Sequence, residues 1–210
     1  MTTEPQPVNR FERRRAKTRE ALIGAARQIL AESGDTSVSI QAIAERADVG
    51  FGTFYNHFPS KTDLFDAAVG EVLDEYGQAI DTYLTGVEDP AERVAAGVRL
   101  SMRMVESRPE VMKILRRRGL GHIHSDRGLA PRALEDLRRG VASGRFAATD
   151  PLVALTGLGG SLLALVDMKF AYPQIDGEQA AANMAELMLR MLGLDAEEAR
   201  RLAWAPLPSA

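Results

Sequence analysis

Apolar positions recur at helical spacing along nearly the whole chain, and nowhere do they alternate as in a half-buried strand. A first helix is expected over 10–32, with Leu22, Ala26, Ile29 and Leu30 as its buried stripe and Ser33-Gly34 as its end. Ser39 reads as an N-cap for a short helix whose apolar face is Ile40, Ile43, Ala44 and Ala47. Asp48-Val49-Gly50 breaks that pattern: Val49 is an apolar plug, and Gly50 is expected to take the positive φ of a sharp turn. A second short helix is expected from Phe51 to His57, stopped by Pro59. Ser60, with Asp63 three residues on, starts a long helix over 61–84. Its inward residues are Leu64, Phe65, Ala68, Val72 and Leu73, and Gly70 and Gly77 weaken it locally.

The remainder reads as more helix. Pro90 opens one to about residue 107, and Pro109 one to about 118. A polar loop over 119–128 precedes a helix over 129–143. Asp150-Pro151 caps and opens a very apolar helix to about 170; Asp176 caps another to about 192, and 195–201 adds a last short one. The expected fold class is all-α, with nine or ten helices: an N-terminal three-helix helix-turn-helix domain over 10–60 and a C-terminal helical bundle over 61–210, linked by the long helix. Residues 1–9 are expected to form a disordered arm.

Charge changes the picture more than composition does. Whole-chain charge is −3, but residues 1–61 carry nine Lys and Arg against seven Asp and Glu, a net of +2, which leaves −5 for the rest. Arg10, Arg13, Arg14, Arg15, Lys17 and Arg19 crowd ten positions holding one acid, Glu12. A basic segment just before a helix-turn-helix has the local field that steers DNA, although a solvated helix face is the bland alternative. With no Cys, thiolate metal sites, disulfides and Cys nucleophiles are excluded. Three His, no phosphate-cradling Gly loop and no Gly-x-Ser-x-Gly elbow argue against an enzyme, and no cofactor is expected. The longest nearly uncharged run, 151–166, falls short of the roughly 20 residues of a membrane span. No apolar leader begins the chain, and a cytoplasmic protein is expected.

Three runs carry a family likeness: Ser39-Ile-Gln-Ala-Ile-Ala-Glu-Arg-Ala-Asp-Val-Gly, then Gly52-Thr53-Phe54-Tyr55-Asn56-His57-Phe58, then Ser60-Lys61 with Leu64. Over 16–61 the chain resembles the TetR family of bacterial transcription regulators. The resemblance implies a homodimer that binds a palindromic DNA operator, usually as a repressor, and is released by a small apolar or amphipathic effector held in the C-terminal domain; a ligand-independent DNA-binding dimer of the same family and a helical protein-interaction adaptor are the alternatives. Within the reading head, Gly52 permits close approach to the duplex, and Thr53 offers a hydroxyl to phosphate or base and a methyl to thymine. Tyr55, His57 and Lys61 are expected at phosphates, as are Ser39, Gln41, Lys17 and Thr18, with Asn56 a further candidate. Phe51 is either a base contact or a capping contact within the head; relatives often carry a small polar residue there.

The resemblance also assigns dimerisation to the helices near 151–170 and 176–192. The first has Gly157, Gly159, Gly160 and Ser161, and the second has Met184, Leu187, Met188, Met191 and Leu192 on one side. An ordinary core is the alternative. Met102, Met112, Phe146, Met168, Phe170 and Tyr172 are candidates for an effector pocket, against the same alternative. His122 and His124 lack further ligands for a metal, and Arg116-Arg117-Arg118 reads as an anion site or a solvated helix end.

Overall fold

The computed structural model describes residues 10–147 and 150–208; the arm expected over 1–9 lies outside them. The described residues are helical, without strands. The ten α-helices are α1 (Arg10–Glu32), α2 (Ile40–Arg46), α3 (Phe51–Phe54), α4 (Lys61–Leu84), α5 (Pro90–Ser107), α6 (Pro109–Arg118), α7 (Leu129–Ala142), α8 (Pro151–Ala171), α9 (Gly177–Met191) and α10 (Ala196–Ala203). One short 3-10 turn, Gly119–His122, occupies the start of the loop expected over 119–128.

The chain divides into two compact units, Met1–Val69 and Gly70–Ala210, so the division falls inside α4. The first two turns of α4 belong to the head because Leu64, Phe65, Ala68 and Val69 are buried and complete its core. The other buried residues of that unit are Leu22, Ile23, Ala25, Ala26, Ile29 and Leu30 of α1, Ile43 and Ala44 of α2, Phe54 and Phe58.

In the second unit α5 packs on α9, α10, α7 and α8, and α8 packs on α7 and α9. Four helices of this unit are N-capped by aspartates: Asp89, Asp150, Asp176 and Asp195 each accept backbone N–H groups of the first turn. The two glycines of α4 have a packing reason. A Cβ at Gly77 would stand 2.6 Å from both Arg132 Nη1 and the Gly128 carbonyl carbon, and one at Gly70 would meet the Arg127 guanidinium. Gly128, at φ +76, would in turn drive a Cβ into the Leu73 carbonyl at 2.6 Å. The segment before α7 therefore crosses α4 at close quarters, which only glycines permit.

The 21 residues of α8 are long and apolar enough, by length and composition alone, to span a membrane, which corrects the shorter run read from sequence. Its last turn nevertheless carries charge: Asp167 pairs with Arg116 of α6 at 2.5 Å and Lys169 with Glu106 of α5 at 3.3 Å. Such pairs suit a helix laid against protein.

Candidate nucleic-acid interface and effector cavity

The turn between α2 and α3 is built by α2's own C-terminus. Ser39 caps α2 by accepting from Ala42 N at 3.1 Å. At the other end Val49 N–H reaches the Ala44 carbonyl at 3.0 Å, and Asp48 N–H the Glu45 carbonyl at 3.1 Å. This is the paired bonding of a Schellman ending, with half-buried Val49 as its apolar plug. The positive φ of that motif falls on Asp48, at +53, and Gly50 is extended at φ −64. The expectation for Gly50 was therefore two residues out of register, since an Asp tolerates the left-handed region.

The second short helix is also shorter than expected: α3 is one turn, Phe51–Phe54, and Tyr55 to His57 form a turn. His57 N–H bonds the Phe54 carbonyl at 2.9 Å, an i to i−3 link that tightens the end. Buried Phe54 and Phe58 anchor the segment from beneath. Phe51 and Tyr55 stand outward, 54% and 55% exposed, in an edge-to-face pair with centroids 6.2 Å apart. Gly52 has no atom within 4 Å of where a Cβ would lie, so the head does not itself require a glycine there. Thr53 is half-buried, and Asn56 is exposed.

His57 joins this tip to the basic helix. Partial burial, and then the Arg15 and Arg19 guanidinium groups of α1, hold its imidazole below the usual range. Arg19 also lies over the Phe58 ring, 5.0 Å from its centroid. Arg15 and Arg19, both exposed, are thus α1 residues whose charge is felt at His57. Sequence reasoning placed both in the basic cluster but chose Lys17 and Thr18 as contacts. The available signal was their i, i+4 spacing, which puts them on one face.

Several predicted contact groups are committed elsewhere. The Thr18 hydroxyl donates to the Arg14 carbonyl at 3.1 Å, and Gln41 donates to Glu45 at 3.0 Å. Lys61 Nζ donates to the carbonyls of Ser37 and Val38 at 3.0 and 2.8 Å, tying the α1–α2 loop to the start of α4. Two of its three N–H donors are thereby used. Lys17 is exposed on α1.

Within the second unit lies a cavity of about 130 Å³. Its wall is mostly aliphatic, including Ile80, Val98, Met112, Leu115, Leu158 and Leu162. Tyr76 adds a buried hydroxyl 2.6 Å from Ser101 Oγ. Ser101 gives its own proton to the Gly97 carbonyl at 2.6 Å, so Tyr76 donates in that pair. Burial pushes the Tyr76 phenol up to about 12. Of the six pocket candidates read from sequence, Met112 is at the wall. Met102 and Phe146 are core residues, and Phe146 packs its ring over Gly140. Met168 is half-buried, Phe170 lies under the Arg116 guanidinium at 5.3 Å, and Tyr172 is an exposed α8 terminus. The two histidines diverge: His122 lines the cavity, while His124 is exposed, 3.4 Å from the Thr156 hydroxyl.

Residues 22–68 match the family described as bacterial regulatory proteins, tetR family, and residues 89–204 match the tetracyclin repressor-like C-terminal domain. The chain belongs to the TetR family of transcriptional regulators. Its solved relatives include RolR in complex with resorcinol, 35% identical, covering 94% of this chain and 98% of that one, with TM-score 0.65. A TetR family regulator from Marinobacter aquaeolei VT8, 21% identical over 82% of this chain and 95% of its own, has TM-score 0.65 and shares the TetR fold. Among curated TetR-type relatives, the transcriptional regulator HbdR of Aromatoleum is 34% identical over 80 residues. The transcriptional repressor KstR of Mycolicibacterium smegmatis is 33% identical over 76 residues. These matches take in 38% and 36% of this chain, and the chain spans about a third of those relatives' length, 35% and 37%.

Proposed function

We propose that this TetR-family regulator is a homodimeric repressor that leaves a palindromic operator when a small molecule enters the C-terminal cavity. The observation that carries the DNA reading is Arg19 of α1 lying over the ring of Phe58, the residue after His57, 5.0 Å from the ring centroid. It makes one exposed basic surface of α1 and the α3 tip, where phosphate contacts set register and the tip meets bases. Tyr55, Asn56 and His57 grip phosphates there, with Lys17 and the backbone at Ser39 and Lys61. Phe51, Gly52 and Thr53 read the groove.

Two heads must sit about one DNA turn apart, roughly 34–36 Å, so a dimer is mechanically required. The unpartnered apolar surface of α8 and α9 supports that reading. Within the protomer 22% of the most apolar stretch of α8 is buried, and Leu152, Val153, Leu187 and Met191 are exposed. The effector reading is supported by the cavity and by RolR, a relative of similar length crystallised with resorcinol.

Footprinting on genomic DNA, beginning with the gene's own upstream region, tests the DNA reading. Protection of a palindrome with half-sites one turn apart is expected. Tyr55→Phe should weaken binding across sequences, whereas Thr53 variants should change base preference. Binding without sequence preference would remove the repressor assignment.

A further inference from the structure

Four arginines stand at the cavity wall, and every one already has a carboxylate. Arg93 donates to Asp136 at 2.7 Å and to the Leu84 carbonyl at 3.0 Å. Arg116 donates to Asp167, Arg127 to Asp74, and Arg132 to Asp81 and the Gly128 carbonyl. Asp136 spends its second oxygen on Arg139 at 2.6 Å. Asp81 differs: Arg132 holds one of its oxygens, and the other accepts no hydrogen bond among the described residues. Each wall arginine is therefore paired, while two polar atoms of the wall residues stay open among the described residues: this Asp81 oxygen and the buried His122 Nδ1.

We propose that the cavity selects an uncharged, single-ring aromatic bearing a hydroxyl, and that the open Asp81 oxygen accepts that hydroxyl's proton. The proposal rests on the effector reading above and names the ligand's chemical class. The volume sets the size, since an apolar cavity of about 150 Å³ holds benzene and the space here is of that order. Aliphatic residues over most of the wall favour a ring whose faces give up little hydration. An anionic ligand would meet two carboxylates at the wall, Asp81 and Asp136, and no wall arginine without a carboxylate partner of its own. An ionised carboxylate is acceptor-only, so its ligand must supply a donor, which an ether or ketone oxygen cannot do.

The test is calorimetry on the full chain with three one-ring probes: resorcinol, 1,3-dimethoxybenzene and benzoate. Resorcinol is expected to bind at least tenfold more tightly than either other probe. Asp81→Asn removes the counter-charge of Arg132, so the benzoate-to-resorcinol affinity ratio should rise at least tenfold. Ala133→Phe, which fills the cavity from the half-buried wall of α7, should abolish resorcinol binding. Thermal melts check that both variants fold, and the wild-type ratios decide the matter without them. Equal or tighter benzoate binding, equal dimethoxybenzene binding, no binding of any probe, or an unchanged ratio in Asp81→Asn overturns the proposal. Mobility shifts run alongside separate it from the regulator reading. Release from DNA by benzoate would keep the regulator and sink the selectivity, whereas no sequence-specific DNA complex would sink the regulator alone.

Discussion

If the basic face of α1 holds DNA as proposed, replacing Arg15 with Gln removes one phosphate contact per head. Arg15 is exposed on α1, close enough to His57 to depress its protonation, so it faces the same surface as the reading tip. Each neutralised phosphate adds about 0.9 to the slope of log affinity against log salt, and a dimer loses two contacts, so the slope should flatten by about 1.8. From 50 to 200 mM salt, that flattening should shrink the wild-type advantage about tenfold. The assay is fluorescence anisotropy on a labelled operator, at pH 8. Removing Arg15 lets His57 rise toward its ordinary value, and at pH 8 that imidazole is neutral in both proteins. Arg138→Gln is the control for total charge. It removes the same charge from an exposed α7 side chain whose partner, Glu135, lies 3.9 Å away on the same helix, and it should leave the slope unchanged. If Arg15→Gln and Arg138→Gln have indistinguishable slopes, Arg15 touches no phosphate and the basic face of α1 is merely solvated.

Other outcomes follow from packing and titration. Gly77→Ala gains about 1 kcal/mol of helix propensity but forces backbone contacts costing about 1–3 kcal/mol. Its melting temperature should fall by a few degrees, at about 2–4 °C per kcal/mol, while Gly97→Ala, with no atom within 4 Å, should melt higher than wild type. Tyr76→Phe leaves Ser101 Oγ without its donor and should cost about 1–2 kcal/mol, read as a lower urea midpoint at unchanged slope. Burial, then Arg118, depress the protonation of His122 against the opposing Gly119 carbonyl. Its contribution to stability is therefore complete above its unfolded value of 6.5 and is lost as pH falls through 6.5 toward the depressed folded value. The urea midpoint should drop less between pH 7.5 and 5.5 in His122→Gln than in wild type; an equal drop refutes the assignment.

Element positions were legible because they rest on local signals. Asp89-Pro90, Asp150-Pro151, Asp176 and Asp195 are caps whose chemistry is complete within four residues, and every helix they open starts where the sequence puts it. The cavity was not legible, because it is made by what side chains do at long range. Met and aromatic residues were natural candidates for an adaptable wall, yet Met102 and Phe146 were needed to fill core. The wall's polar groups come from α4, α5, α6, the 3-10 turn and the α7 region, with Asp81 paired to Arg132 and Arg93 to Asp136 across 51 and 43 residues of sequence. What did point there was Gly70 and Gly77 in α4. Their cost to an isolated helix is a local inconsistency, and such inconsistencies mark where another part of the chain must come close.

The same logic sharpens the reading tip. Phe51 stood between two roles, base contact and capping contact, and its geometry joins them. Its ring packs edge-to-face on Tyr55, which is edge-to-face with buried Phe54 at 5.4 Å. The exposed pair is thus braced from the core, and the one-turn α3 needs that bracing, because so short a helix has little stability of its own. A rigid aromatic at the tip loses little freedom on meeting a duplex and offers thymine methyls an apolar face. Phe51→Ser would remove both the brace and the apolar contact, so it should weaken operator binding more than Tyr55→Phe, which leaves the ring pair intact. The loss should concentrate in operators with thymine under the tip. A uniform loss across sequences would make Phe51 a brace alone and leave base reading to Thr53.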